Sequence, residues 1–214
     1  EGYAALFAGI NPAEWGAADT ALTVKVGNRS VWLFGDTFSS GPDGEGRFVH
    51  STAITQKGGC LHVSHAGAQL LPDQHAVAIP TTAHPSVIYW IEGGRVSGRN
   101  LLDIAARAIQ IVGSGPWDFR DGGYTRHAAV GIDAAGDLTF ERWTATIAGP
   151  APDPGPMINC DAPAAPRPHH FCYARHTHPE LLLADGHPLV TVSQNWDDGT
   201  LHPFTDYRPL FSDR

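Results

Sequence analysis

The stretch from Asp19 to Asp36 constrains the fold more than any other, because it reads as a single β-hairpin with a carboxylate at each open end. Leu22, Val24 and Val26 alternate with Thr23 and Lys25, Val31 and Leu33 alternate with Trp32 and Phe34, and Gly27-Asn28 between them is a two-residue turn signal. A turn there fixes every cross-strand pair: Val26 faces Arg29, and all partners have position numbers that add to 55. Asp19 and Asp36 obey the same rule, which sets them opposite one another with Cβ atoms roughly 4.5–5.5 Å apart. Two carboxylates that close resist ionising together, which is the condition an acid/base pair needs. The plainer alternative makes Asp19 a strand-entry residue and Asp36 a turn cap, each bonded to local backbone N–H groups. A one-residue slip would send the two side chains to opposite faces.

The 214 residues suit one domain over 1–214, long enough to bury a core. Fourteen basic against 22 acidic side chains, a formal net charge of −8, argue against a nucleic-acid partner. Gly 24 and Pro 17 with six Trp favour a turn-rich all-β protein. No apolar run approaches the ~18 residues of a bilayer crossing, so no membrane span is expected, and the chain is read as mature or trimmed. Of three cysteines, Cys160 and Cys172 flank a Pro-rich loop at about 149–168 and can be bridged, which would favour an oxidising compartment. Cys60 is expected to be buried and free.

Along the chain, residues 1–18 show no clean period. A second hairpin is expected from residues 47–56 and 60–65 about the turn Lys57-Gly58-Gly59. Residues 86–92 read as a strand closed by a Gly93-Gly94 turn. Residues 101–112 fit both helical and strand spacing and are assigned to strand because their neighbours turn every dozen or so residues. Hairpins follow at 127–132 with 138–143 and at 169–183 with 189–195, with a last edge strand near 207–211. Hairpins recurring about every 35–50 residues predict a propeller, with a two-sheet β-sandwich as the alternative.

Particular stretches carry a family likeness: Trp-Leu-Phe-Gly-Asp-Thr-Phe (32–38) after Ala-Asp-Thr-Ala (18–21), Phe-Val-His-Ser-Thr-Ala (48–53), Tyr-Trp (89–90), Trp-Asp-Phe (117–119), Tyr-Ala-Arg-His-Thr-His-Pro-Glu-Leu (173–181) and Val-Ser-Gln-Asn (192–195). Over about residues 15–210 the chain resembles five-bladed β-propeller glycoside hydrolases of the bacterial endo-D-arabinanase family, and more remotely the arabinanase, invertase and levansucrase superfamily. The resemblance implies a compact or abbreviated five-bladed propeller and a secreted or extracytoplasmic glycosidase. It also implies Asp19 and Asp36 as the catalytic pair, and His50, Ser51, His178, Glu180 and Asn195 near one end of a channel. Two departures stand out: family members are usually longer, and His50 replaces their usual Asn.

Glycoside hydrolysis commonly uses two carboxyl groups across the scissile bond. Asp19 and Asp36 are the expected pair, with Glu180 third as an acid or tuning neighbour, or else an ion-pair partner of Arg175. Direct sheet neighbours fit the retaining separation of about 5–5.5 Å better than the inverting one. Trp90, Trp117 and Trp196 sit at strand ends or loops, where they can stack on sugar rings, whereas Trp32 and Trp143 are mid-strand packing residues. His50, Ser51, His178 and Asn195 complete the expected contacts to a polysaccharide or oligosaccharide. His176-Thr-His178 offers two ligands on one strand face but no third, so no transition metal is expected and no cofactor. A structural calcium or sodium ion remains compatible with the reading. The alternative function is a non-catalytic carbohydrate-binding propeller.

Overall fold

The computed structural model describes residues 2–41, 44–74, 82–83, 85–115, 118–150, 170–196 and 209–212. These begin with a short helix α1 (Tyr3–Ala8) and continue as strands β1 (Ala17–Ala18), β2 (Leu22–Val26), β3 (Arg29–Phe34), β4 (Thr37–Ser39), β5 (Arg47–Val49), β6 (Thr52–Lys57) and β7 (Cys60–Val63). After them come β8 (Ser86–Gly98), β9 (Leu101–Ile111), β10 (Phe119–Ile132), β11 (Leu138–Ala148), β12 (His170–Leu182), β13 (Pro188–Trp196) and β14 (Leu210–Ser212). The protein is all-β as expected, in four antiparallel sheets ordered β1-β4-β5, β2-β3-β6-β7, β11-β10-β9-β8 and β12-β13-β14. Among the described residues the sheets do not close into a ring of blades.

The first hairpin has the expected register, from Val26 opposite Arg29 to Leu22 opposite Leu33. Its two faces enter different cores. Val31 and Leu33 pack with Tyr89, Ile91, Leu102 and Ile104 of the β8–β11 sheet. Trp32 and Phe34 pack with Phe7, Trp15, Leu181 and Leu189, on the side of α1 and the β12–β14 sheet. The β2–β7 sheet is thus the middle layer of a stack, and β3, covered on both sides, is buried from Ser30 to Phe34.

The β1-β4-β5 sheet continues the middle sheet beyond a crease. Ala17 opposite Phe38 and Ala18 opposite Thr37 keep the register in which positions add to 55. Along the next strand pair, Ser30 opposite Gln56 and Phe34 opposite Thr52 add to 86, and so do Thr37 opposite Val49 and Ser39 opposite Arg47 across the break. Three strands therefore cross the crease with their register restored on its far side. At the crease lie Asp19 to Ala21, Gly35-Asp36 and His50-Ser51.

Several expectations need correction. The aperiodic N-terminal segment contains α1, six residues being too few to show a period. Gly93-Gly94 is no turn: β8 runs through it with a bulge between Ile91 and Gly93, and the reversal comes at Asn100, whose φ is 58°. The reason is a close approach, since a Cβ on Gly94 would lie 2.9 Å from Val24 Cγ2 and 3.0 Å from Leu33 Cδ1. Gly94→Ala is expected to cost about 1–3 kcal/mol by overpacking this seam. Gly93→Ala, with nothing within 4 Å of its Cβ, is the matched control. Urea midpoints for the two variants that coincide would refute the seam argument.

Residues 101–111 form a strand as assigned, and the 127–143 hairpin is present but extends to Phe119 and Ala148. Cys60 is free as expected but exposed, at the β6–β7 turn, not buried. Cys172 is disulfide-bonded. Cys160 and most of the Pro-rich stretch lie outside the described residues. Among the described residues no helix is long and apolar enough to cross a membrane.

Candidate active site

The two registers that flank the crease place Asp19, Asp36 and His50 on one row across three adjacent strands, Asp36 in the middle. The row is irregular in a specific way. Asp19 N–H donates to the Asp36 carbonyl at 3.1 Å while Gly35 N–H donates to the Asp19 carbonyl at 3.1 Å, so Asp19 faces two residues at once. Such a bulge re-aims side chains without ending the sheet. The opposite strand compensates at Thr20, a β-branched residue at φ 53°, where the left-handed region is strained by about 1–3 kcal/mol. Thr20 is held there from two sides: its N–H donates to Ser193 Oγ at 2.9 Å, and its hydroxyl donates to Asp19 Oδ1 at 3.2 Å. Gly35 is required on steric grounds, because a Cβ there would meet Asp19 Oδ1 at 2.3 Å.

The side chains of the row gather partners from the flanking sheets. Asp36 Oδ1 accepts from His50 Nδ1 at 3.0 Å and from the Trp90 indole N–H at 3.0 Å. Trp90 comes from β8 and rests edge-on against Phe119, ring centroids 5.2 Å apart. Asp19, 8% exposed, accepts from the Tyr173 hydroxyl of β12 on its Oδ2 at 2.9 Å. Tyr173 precedes a bulge in β12 at which Ala174 is also left-handed, φ 47°. His50 N–H donates to Gln69 Oε1, and Phe48, 47% exposed, sets its ring perpendicular to the imidazole with centroids 4.9 Å apart.

Burial is the largest single influence on His50 and pulls its pKa down. The hydrogen bond to Asp36 and the charges of Asp36, Asp73 and Asp19 together outweigh it, and the net shift is upward. One imidazole thus feels three carboxylates, Asp73 being a member that inspection of the hairpins alone did not bring in. Tyr173 and Ser193 were missed as well, although Tyr173 opens the 173–181 stretch that carries the family likeness.

Other expected site residues are placed elsewhere. Ser51 is fully buried, its hydroxyl accepting the Leu71 N–H at 2.9 Å and its carbonyl the Leu70 N–H, so it anchors the 69–71 segment rather than facing solvent. Glu180 does not join Asp19: seven residues separate it from Tyr173 on β12, roughly 20 Å at strand rise. Its charge acts on His178, and among the described residues one of its oxygens is buried without a partner, as is His176 Nε2. Arg175 is exposed, and among the described residues it forms no ion pair with Glu180. Trp117 and the side chains of Asn195 and Trp196 lie outside the described residues. Among the described residues no cluster of three His, Cys, Asp or Glu is arranged to hold a metal ion.

His178, expected at the substrate, is 1% exposed and works as a tie between sheets. Thr191 Oγ1 donates its one proton to the Ala21 carbonyl, so it accepts from His178 Nε2–H at 2.8 Å. The neutral ring's Nδ1 then accepts from the Thr23 hydroxyl. Burial lowers its pKa to about 4, the Glu180 charge opposing and His176 reinforcing. Between pH 6.5 and about 4 the unfolded chain therefore binds a proton that the native ring refuses, and stability falls as pH drops through that window. The full effect is about 3 kcal/mol. His176, lowered by burial, acts in the same direction. His50 acts oppositely and higher, its contribution being lost as pH rises above 6.5 through its raised value. Asp133, Asp137 and Asp185, all lowered, lose their contributions only below about 4. Denaturant midpoints at pH 7 and 4.5 should differ accordingly, and the difference should shrink in His178→Gln. An unchanged midpoint would contradict the burial of a neutral ring.

Comparison with models of known protein families gives no match to this chain, and none of the curated proteins is significantly similar to it in sequence.

Proposed function

We propose that the protein is a glycoside hydrolase acting on a furanose-containing polysaccharide such as an arabinan, with Asp36 as the carboxylate that meets the sugar and Asp19 as its paired neighbour. The observation that carries the reading is the state of Asp36. One oxygen is fixed by two N–H donors, and among the described residues nothing bonds to the other, on a side chain 17% exposed. An oriented carboxylate with one free oxygen is what a glycosidase nucleophile or base requires. The strain at Thr20, one residue from Asp19, agrees with a functional site, where such conformations concentrate.

The likeness to the endo-D-arabinanase family supports the substrate class and a propeller-like arrangement, and the face-to-face stack of antiparallel sheets is compatible with blades. The disulfide at Cys172 favours an extracytoplasmic setting. The deciding assay is release of reducing ends from arabinan and related furanose polymers by the wild-type chain. Saturable binding of such polymers with no cleavage would replace this reading by the carbohydrate-binding one.

A further inference from the structure

We infer that His50, rather than Asp19, is the proton-carrying partner of Asp36, giving a proton through Nε2 to the departing oxygen and taking one back from water. The inference rests on the glycosidase reading and concerns the division of labour within that site. It follows from which polar atoms are already engaged. Asp19 is buried, with Oδ1 bonded by the Thr20 hydroxyl and Oδ2 by the Tyr173 hydroxyl. Asp36 keeps Oδ2 open. His50 uses Nδ1 on Asp36 and its backbone N–H on Gln69, while among the described residues Nε2 has no partner, on a side chain 20% exposed. The two open polar atoms of the row therefore belong to residues joined by a side-chain hydrogen bond across the crease.

The tautomer follows as well. A carboxylate only accepts, so Nδ1 carries the proton shared with Asp36, and Nε2 is the nitrogen that gains and loses one. The charged groups acting on the ring are Asp36, Asp73 and Asp19. Its other neighbours are Phe48 and, through Asp36, Trp90. All three charges favour the imidazolium, the form that donates.

The step balances with no further reactant than water. Asp36 Oδ2 gives an electron pair to the anomeric carbon, the bond from that carbon to the leaving oxygen breaks onto the oxygen, and Nε2–H protonates it. Water then attacks the anomeric carbon, its proton passes to Nε2, and the bond to Oδ2 breaks back onto the carboxylate. Asp19, acting through Gly35, Thr20 and Tyr173, is a positioning residue in this scheme.

The test uses His50→Asn, which keeps an amide N–H near the place of Nδ1 and removes Nε2. Two substrates separate proton donation from binding: the polysaccharide, whose leaving oxygen needs a proton, and an aryl glycoside with a nitrophenol leaving group, which does not. The expected result is a loss of about 10²–10⁴-fold on the polysaccharide with less than about tenfold on the aryl glycoside. The wild-type decline in rate as pH rises past neutrality should vanish in the variant. Equal losses on both substrates, or a leaving-group-selective loss in Asp19→Asn but not in His50→Asn, would overturn the assignment. A second measurement needs no turnover: the His50 ring resonances of the full chain, followed by NMR from pH 5 to 9. A titration midpoint above that of a free histidine, moving down in Asp36→Asn, supports the assignment, and a ring that does not titrate ends it. Absence of any wild-type glycosidase activity would instead remove the functional reading, with the NMR result still deciding the state of His50.

Discussion

Asp36→Asn is expected to lower turnover of the best polysaccharide substrate by about 10³–10⁴-fold while leaving the fold intact and ligand affinity within a few-fold. The substitution is nearly isosteric, and its carbonyl can still accept the Trp90 indole N–H that now reaches Oδ1 at 3.0 Å. What disappears is the negative charge and the free oxygen able to attack or to activate water. The effect should fall on kcat, because the group acts on the reacting carbon and not on the rest of the bound chain. A variant that kept a tenth or more of wild-type turnover would remove Asp36 from the chemistry. Loss of binding together with turnover would point to a structural role for its bonds to His50 and Trp90. The binding-only alternative makes the opposite forecast: Trp90→Ala abolishes retention on the polymer and Asp36→Asn has little effect.

The largest loss of stability is expected from Trp32→Ala, at about 3–5 kcal/mol. Trp32 is fully buried in the middle of β3 and makes ring contacts with α1, β12 and β14. Its ring lies 5.0 Å from Phe7 of α1, 5.1 Å from His178 of β12 and 6.2 Å from Phe211 of β14, centroid to centroid. Its indole N–H donates to Gln56 Oε1 at 2.9 Å, so truncation also leaves a buried amide oxygen without its donor. For a chain of this size the loss corresponds to roughly 10 °C in the midpoint of thermal unfolding. Trp32→Phe, which fills most of the space but drops the hydrogen bond, should fall between. A midpoint within about 2 °C of wild type for Trp32→Ala would mean that α1 and the β12–β14 sheet are not held through this residue.

The parts legible in the sequence were those set by local rules. Gly27-Asn28 and the alternation on either side fix the hairpin register, and the register survives the crease as far as Ala17 opposite Phe38. The choice of strand for 101–111 succeeded because every neighbouring segment was a strand that needed a partner. Gly93-Gly94 misled because a glycine pair marks a turn only when nothing passes close above it; here Val24 and Leu33 of another sheet do. The short α1 left no period to detect.

At the site, the placement of Asp19 beside Asp36 follows from counting along two strands, whereas His50 enters only through the family likeness. The bulge that lets Asp19 face both Gly35 and Asp36 depends on Thr20 leaving the strand conformation, which no local preference of threonine predicts. Tyr173, Ser193 and Asp73 come from distant positions, so only the packing of whole sheets brings them in. His178 and Ser51 are expected at the substrate only through the family likeness, and their burial reflects internal polar ties, from His178 to Thr23 and Thr191 and from Ser51 to the 70–71 segment, that must be satisfied.

The crease also has a consequence for how this chain can change length. Asp19, Asp36 and His50 are aligned by pairing on both sides of the break, whereas the turns at Gly27-Asn28, between β2 and β3, and at Gly58-Gly59, between β6 and β7, lie at the far end of the middle sheet. Residues added at those tips would enlarge a loop and leave the row where it is, as exposed turns ordinarily allow. A single residue added or removed between Arg29 and Phe34 would instead shift Asp36 against both neighbours at once. Variation in this protein's length is thus expected to gather at the distal tips, with the spacing from each strand's interior to the crease held constant.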